Sequence, residues 1–202
     1  MRLQNSARNI KAAWALQLVH ILSQFISRTV IIKVLTIEYV GLSGLFSNVL
    51  MMLSLAELGI GEAIIFSMYG PIARSEKENI SAIMGFYKKV YIFVGMFILI
   101  AGLSITPWID FFIKDIPEIY WIYALYVMNS SVSYFFSYKA AFITANQNNS
   151  VVVINNGLWE IGMVAVQVAV LFTTKDYIAY MVIGILFVLF RNISISVIAD
   201  KR

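Results

Sequence analysis

The chain has 202 residues, of which 60% are hydrophobic and only 13% charged. Soluble domains carry about 25% charged residues, so a soluble enzyme, a disordered tail and a small disulfide-stapled domain are excluded. With no cysteine and one histidine there is no thiol chemistry and no cysteine metal site. The net charge of +4 reads as the basic bias of cytoplasmic loops rather than as a nucleic-acid footprint.

What remains is an all-α, polytopic membrane helix bundle forming a single transmembrane domain. A bilayer core takes about 20 apolar residues per helix, and six stretches qualify: 12–35, 42–68, 90–108, 119–145, 151–172 and 177–198. Barrel strands would alternate over roughly ten residues, whereas these runs are long and continuous. The basic N-terminus (Arg2, Arg8, Lys11) precedes an apolar run too long for a cleavable signal peptide.

The first span contains His20, Gln24 and Arg28 at spacings of four, which puts them on one helix face. Arg28 lies roughly 10 Å below the outer end at ~1.5 Å per residue. Such a residue is expected to serve as a cavity cation for an anionic substrate, unless it forms a structural ion pair or snorkels. The second span carries Glu57 and Glu62 in SLAELGIGEA. On a straight helix they would point about 140° apart, so they cannot form a carboxylate dyad. Gly59 and Gly61 between them permit either close helix packing or a break. The third span, VYIFVGMFILIAGLSI, is free of charge.

On the fourth span Tyr126, Ser130, Ser133 and Ser137 form a stripe best read as helix glue. Lys139 follows near the inner surface, as a lipid-phosphate contact or a simple anchor, and Arg191 on the sixth span is similar. The fifth span places Asn156, Glu160 and Gln167 on one face at spacings of four and seven, lining a wet cavity or a helix interface.

Six spans put both termini on one side. Eleven basic residues fall on that side and three (Lys33, Lys114, Lys175) on the other, so both termini are expected in the cytoplasm. Trp108, Tyr120 and Trp121 flank the outer loop like an aromatic belt. Dinucleotide, Walker A and HExxH patterns are missing, and no catalytic residue, cofactor or metal site is expected. A phosphosugar transferase would need an acidic metal-binding cluster, and Glu76 with Glu78 looks like a solvated loop.

Several pieces resemble a known family: SARNI at the start, FISRTVII with Arg28, YVGLSGLFSNVL and LAELGIGEAI with Glu57. Further on, YKKVY, NSSVSYFFSYK and TANQNN also fit, and the order and spacing extend from Ser6 to the C-terminus. The chain is similar to bacterial polysaccharide biosynthesis proteins, the O-antigen and capsule repeat-unit flippases of the multidrug/oligosaccharidyl-lipid/polysaccharide exporter superfamily. That resemblance implies the N-terminal lobe of a two-lobed exporter in the bacterial cytoplasmic membrane. Its cargo would be an undecaprenyl-pyrophosphate-linked oligosaccharide, and its partners membrane lipids and a second lobe or second copy of the chain. As one lobe it is expected to be incomplete for transport. The expected cavity residues are Arg28, Gln24, Glu57, Asn156, Glu160 and Gln167, with Lys139 and Arg191 meeting the lipid-linked head at the cytoplasmic side. A drug/cation antiporter of the same superfamily and a non-transporting accessory subunit are the competing readings.

Overall fold

The computed structural model describes residues 2–54, 59–113, 116, 118–135 and 138–201. Among them there is no strand. The helices are α1 (Arg2–Val34), α2 (Ile37–Ser54), α3 (Ile60–Ala73), α4 (Lys77–Ser104), α5 (Ile109–Phe112), α6 (Ile119–Phe135), α7 (Tyr138–Ala145), α8 (Asn149–Thr174) and α9 (Tyr177–Asp200), with a 3-10 turn over Thr106–Trp108.

Four stretches are long and apolar enough to cross a membrane: Ala13–Val34 of α1, Lys77–Trp108, Asn149–Thr174 and Tyr177–Asp200. The expected span at 42–68 is divided into α2 and α3, while that at 119–145 is covered by α6 and α7, between which residues 136–137 lie outside the described residues. The division has a local cause at Gly59, whose φ of +86° lies in the left-handed region that side chains disfavour. A Cβ there would meet nothing within 4 Å, so backbone conformation rather than packing calls for the glycine. Glu62 sits exposed in the first turn of α3, and Glu57 lies outside the described residues. The angular argument relating these two glutamates needs one unbroken helix, and the left-handed backbone of Gly59 between them interrupts it.

Helix boundaries differ from the apolar runs at the watery ends as well. Helix α4 begins at Lys77, well before Val90. Lysine and glutamate are good helix formers, so the helix continues past the hydrocarbon boundary that hydropathy marks.

Side-chain contacts give the direction of each helix. Helices α1 and α8 run in parallel, since His20 meets Glu160 and Leu16 lies against Gly157. Helix α9 returns antiparallel to α8 after Lys175 takes a left-handed conformation (φ 55°) and Asp176 caps the new helix, accepting from the backbone N–H groups of Ile178 (2.7 Å) and Ala179 (3.3 Å). Helices α6 and α7 run with α9: Tyr126 meets Tyr177 at one end and Lys139 meets Asp200 at the other. Helix α4 runs against α6. The Gly102 carbonyl accepts from the Tyr123 hydroxyl (2.9 Å) and the Gly95 carbonyl from Ser131 (2.7 Å). Helices α2 and α3 run with α9, with Tyr39 packed on Tyr177 (4.8 Å between centroids) and Met68 clustered with Tyr87, Tyr91 and Ala145. Thus α1, α4 and α8 share one direction, and α2–α3, α6–α7 and α9 share the other.

The larger apolar core gathers Phe46, Ile98, Tyr123, Val127, Leu171 and Tyr177 at the end where α8 turns into α9. The outward faces carry Trp14, Leu18, Phe25, Phe66, Phe93 and Phe111 fully in the open. A soluble protein rarely leaves so much apolar surface uncovered.

The α4–α6 contact generates a prediction. A Cβ on Gly102 would stand 2.7 Å and 2.9 Å from the two methyls of Val127, a β-branched side chain with little rotameric freedom. Gly102→Ala is expected to destabilise the bundle by about 1–3 kcal/mol through overpacking, measured by thermal unfolding in detergent. Adding Val127→Ala should recover most of the loss, and a loss unchanged by that second substitution would exclude the steric cause.

Candidate functional site

Three polar faces that would be intolerable against acyl chains converge on one cleft of about 420 Å³. From α1 come His20, Ser23, Gln24, Ser27 and Arg28, as expected for positions three and four apart. Helix α2 adds Ser43, Ser47 and Asn48. Helix α8 contributes Glu160 and Gln167, and an aromatic wall is made by Tyr126, Tyr177 and Tyr180.

A chain of side chains crosses the cleft floor. The Gln24 amide nitrogen lies 3.0 Å from His20 Nε2, and His20 Nδ1 lies 2.9 Å from Glu160 Oε1. An amide N–H can only donate, so Nε2 accepts and the ring proton sits on Nδ1, pointing at the carboxylate. Glu160 is 16% exposed and His20 50%, so the carboxylate is the sheltered member and the ring remains reachable from the cleft.

Gln167 is buried, and its amide nitrogen donates to the Tyr180 carbonyl (3.0 Å), which ties α8 to α9 at the cleft wall. The Tyr126 and Tyr177 hydroxyls lie 2.8 Å apart, and Tyr177 stacks on Tyr180 with an interplanar angle of 9°. Arg28 is exposed toward this space, and no carboxylate among the described residues pairs with it. A guanidinium offers five donors in a planar fork suited to phosphate or carboxylate oxygens.

A second cavity of about 180 Å³ adjoins the first, sharing His20, Glu160 and Met163 and adding Trp159, Phe187 and Arg191. Glu160 therefore stands at the junction of the two spaces. Among the described residues there is no cluster of three histidines or carboxylates able to hold a metal ion.

Of the residues singled out from the sequence, Arg28, Gln24, Glu160 and Gln167 line the main cleft, and Arg191 lines the adjoining one. Asn156 lines neither and is half-buried. Its neighbour Asn155 is the buried member, accepting from the Ser194 hydroxyl (2.8 Å) and donating to the Arg191 carbonyl (3.4 Å). Lys139 lies elsewhere, with its amine on both carboxylate oxygens of Asp200 (2.7 Å and 2.5 Å). Glu57 is outside the described residues. The sequence reading missed Ser43, Ser47 and Asn48, although a serine pair four apart followed by asparagine inside an apolar run was available as a signal. It also missed the tyrosine wall, which assembles from helices far apart in the chain.

No known protein family, curated protein or solved structure matches the chain.

The His20–Glu160 contact is open to a double-mutant cycle. Replacing either residue with alanine removes a hydrogen bond to a charged group, typically worth roughly 1.5–3 kcal/mol. The exposed ring places the expected coupling at the lower end of that range. Unfolding of the two single variants and the double variant in detergent measures it, and strictly additive losses would mean that the pair is not coupled.

Proposed function

We propose that this chain is one lobe of an exporter that passes a lipid-linked, pyrophosphate-bearing oligosaccharide from the cytoplasmic to the outer leaflet of a bacterial cytoplasmic membrane. The observation that carries the reading is Arg28, an exposed guanidinium without a described carboxylate partner in a polar cleft at bilayer depth. A glycan head cannot cross about 30 Å of hydrocarbon unaided. It needs a wet path for its hydroxyls and a cation for its phosphates, while its lipid tail stays among acyl chains. Arg28 supplies the cation, the serines, Asn48 and Gln24 offer hydrogen bonds, and the tyrosines give flat faces beside them. The cleft is open on one side, and a second lobe or a second copy of the chain would close it. The competing cation antiporter requires a carboxylate ready for a cation, and here Glu160 already accepts from His20.

In this reading α2–α3 and α6–α7 each cross the membrane once, giving six crossings with both termini in the cytoplasm. The helix directions support it. Helices α1, α4 and α8 run the same way, so the chain has to return between successive members of that set, and only α2–α3 and α6–α7 lie there. The basic residues divide accordingly, eleven against three.

Two experiments follow. Arg28→Ala, at normal protein level in the complete exporter, is expected to abolish surface glycan, and Arg28→Lys to restore part of it because the charge survives without the bidentate fork. Normal export from the alanine variant would remove Arg28 from the mechanism. For the crossings, the absence of native cysteine makes single-cysteine labelling direct. Ser75→Cys should react with an impermeant maleimide only from the cytoplasmic side and Glu118→Cys only from outside. The opposite pattern at both sites is what four crossings would give, and it would refute the six-crossing arrangement.

A further inference from the structure

Away from the polar cleft, the start of α4, the middle of α7 and the end of α9 enclose a pocket of about 290 Å³. Its floor is apolar, from Ile80, Met84 and Phe142, and its rim carries Lys77, Lys139 and Asp200. Two lysines and one aspartate leave one net positive charge. Lys139 is held by Asp200, so the uncompensated charge is that of Lys77. The nearby carboxylates do not neutralise it. Glu76 is engaged by Arg74 (2.6 Å) and by the Asn79 amide (2.8 Å), and Glu78 follows Lys77 directly, a spacing at which helical side chains do not face each other.

We infer that this pocket binds an anionic phospholipid of the leaflet facing the chain termini, with its phosphodiester at Lys77 and its first acyl carbons on Ile80, Met84 and Phe142. Charge and shape both favour a lipid over a soluble ion. One phosphodiester balances the single excess charge, and the apolar floor offers a free phosphate nothing while matching a glycerol backbone and its chains. The side of the membrane follows from the same basic bias that places the termini in the cytoplasm, where anionic lipids attract juxtamembrane lysines. The inference does not depend on what the polar cleft transports.

Native mass spectrometry of the intact chain in detergent tests it, with phosphatidylglycerol and phosphatidylcholine of equal chain length as probes. Phosphatidylglycerol adducts are expected to exceed phosphatidylcholine adducts. Lys77→Gln should lower them about five-fold, the weight of one lysine near an anionic lipid surface, and Lys77→Glu should remove the preference altogether. Lys77 is exposed, so both variants should keep the parent's thermal stability, and that is checked alongside. Asp200→Asn, which adds a net positive charge to the rim, should strengthen retention. Unchanged adducts in both Lys77 variants would overturn the assignment. Displacement of the lipid by millimolar inorganic phosphate would overturn it too, leaving a bare anion site.

Discussion

Hydrocarbon offers no hydrogen bonds, so a polar group held at bilayer depth must find its partner inside the protein or in trapped water. This constraint organises the bundle. Ile21, Leu22, Phe25 and Ile26 of α1 are exposed, while His20, Gln24 and Arg28 of the same helix share one cleft with the polar face of α8. Two buried amides of α8 find such partners: Gln167 holds the Tyr180 carbonyl, and Asn155 links Ser194 to the Arg191 backbone. All three bonds cross from α8 to α9, so the polarity that hydrocarbon would penalise also fastens the hairpin on which the cleft is built.

Packing between the helices follows from the same solvent. Lipid tails are as apolar as leucine, so helices gain little by hiding apolar surface from them and associate through close contact and hydrogen bonds instead. The α4–α6 seam shows both. Gly95 and Gly102 bring the backbones near enough for Ser131 and Tyr123 to donate to their carbonyls, and the missing side chains are filled by Phe135 and Val127. At the end where α8 turns back, Tyr39, Phe46, Tyr126, Tyr177 and Tyr180 pack as one aromatic group. This rigid group forms one wall of the cleft, so the apolar core and the polar space share residues. A substitution there would alter both.

Much of this was legible in the sequence. Length and hydropathy mark the membrane helices, and fourfold spacing of polar residues marks the faces of α1 and α8 that meet. What spacing does not carry is rotation in detail: Asn156 and Asn155 are adjacent, and only packing against α9 selects Asn155 as the buried one. Nor does it carry partners distant in the chain. Lys139 and Asp200 are 61 positions apart, and no local pattern joins them. The break before α3 was half legible. Two glycines permit either packing or a break, and the left-handed conformation of Gly59 decides for the break. The tyrosine wall was invisible because aromatic residues are common in membrane helices, and α6 must pack on α9 before these rings become one surface.

The balance of charge around Glu160 bears on what class of ligand the cleft suits. Among the described residues, the charged side chains lining the two adjoining cavities are Arg28, Arg191 and Glu160, with His20 between them. Gln24 presents an amide donor to Nε2, and among the described residues two guanidinia face one carboxylate. One positive charge is left over, on a surface lined by hydroxyls and amides in a medium of low dielectric, where an unbalanced charge is expensive. An anion relieves that imbalance and a cation deepens it. This excess of positive charge among the described residues supports the proposed anionic passenger alongside the fork geometry of Arg28.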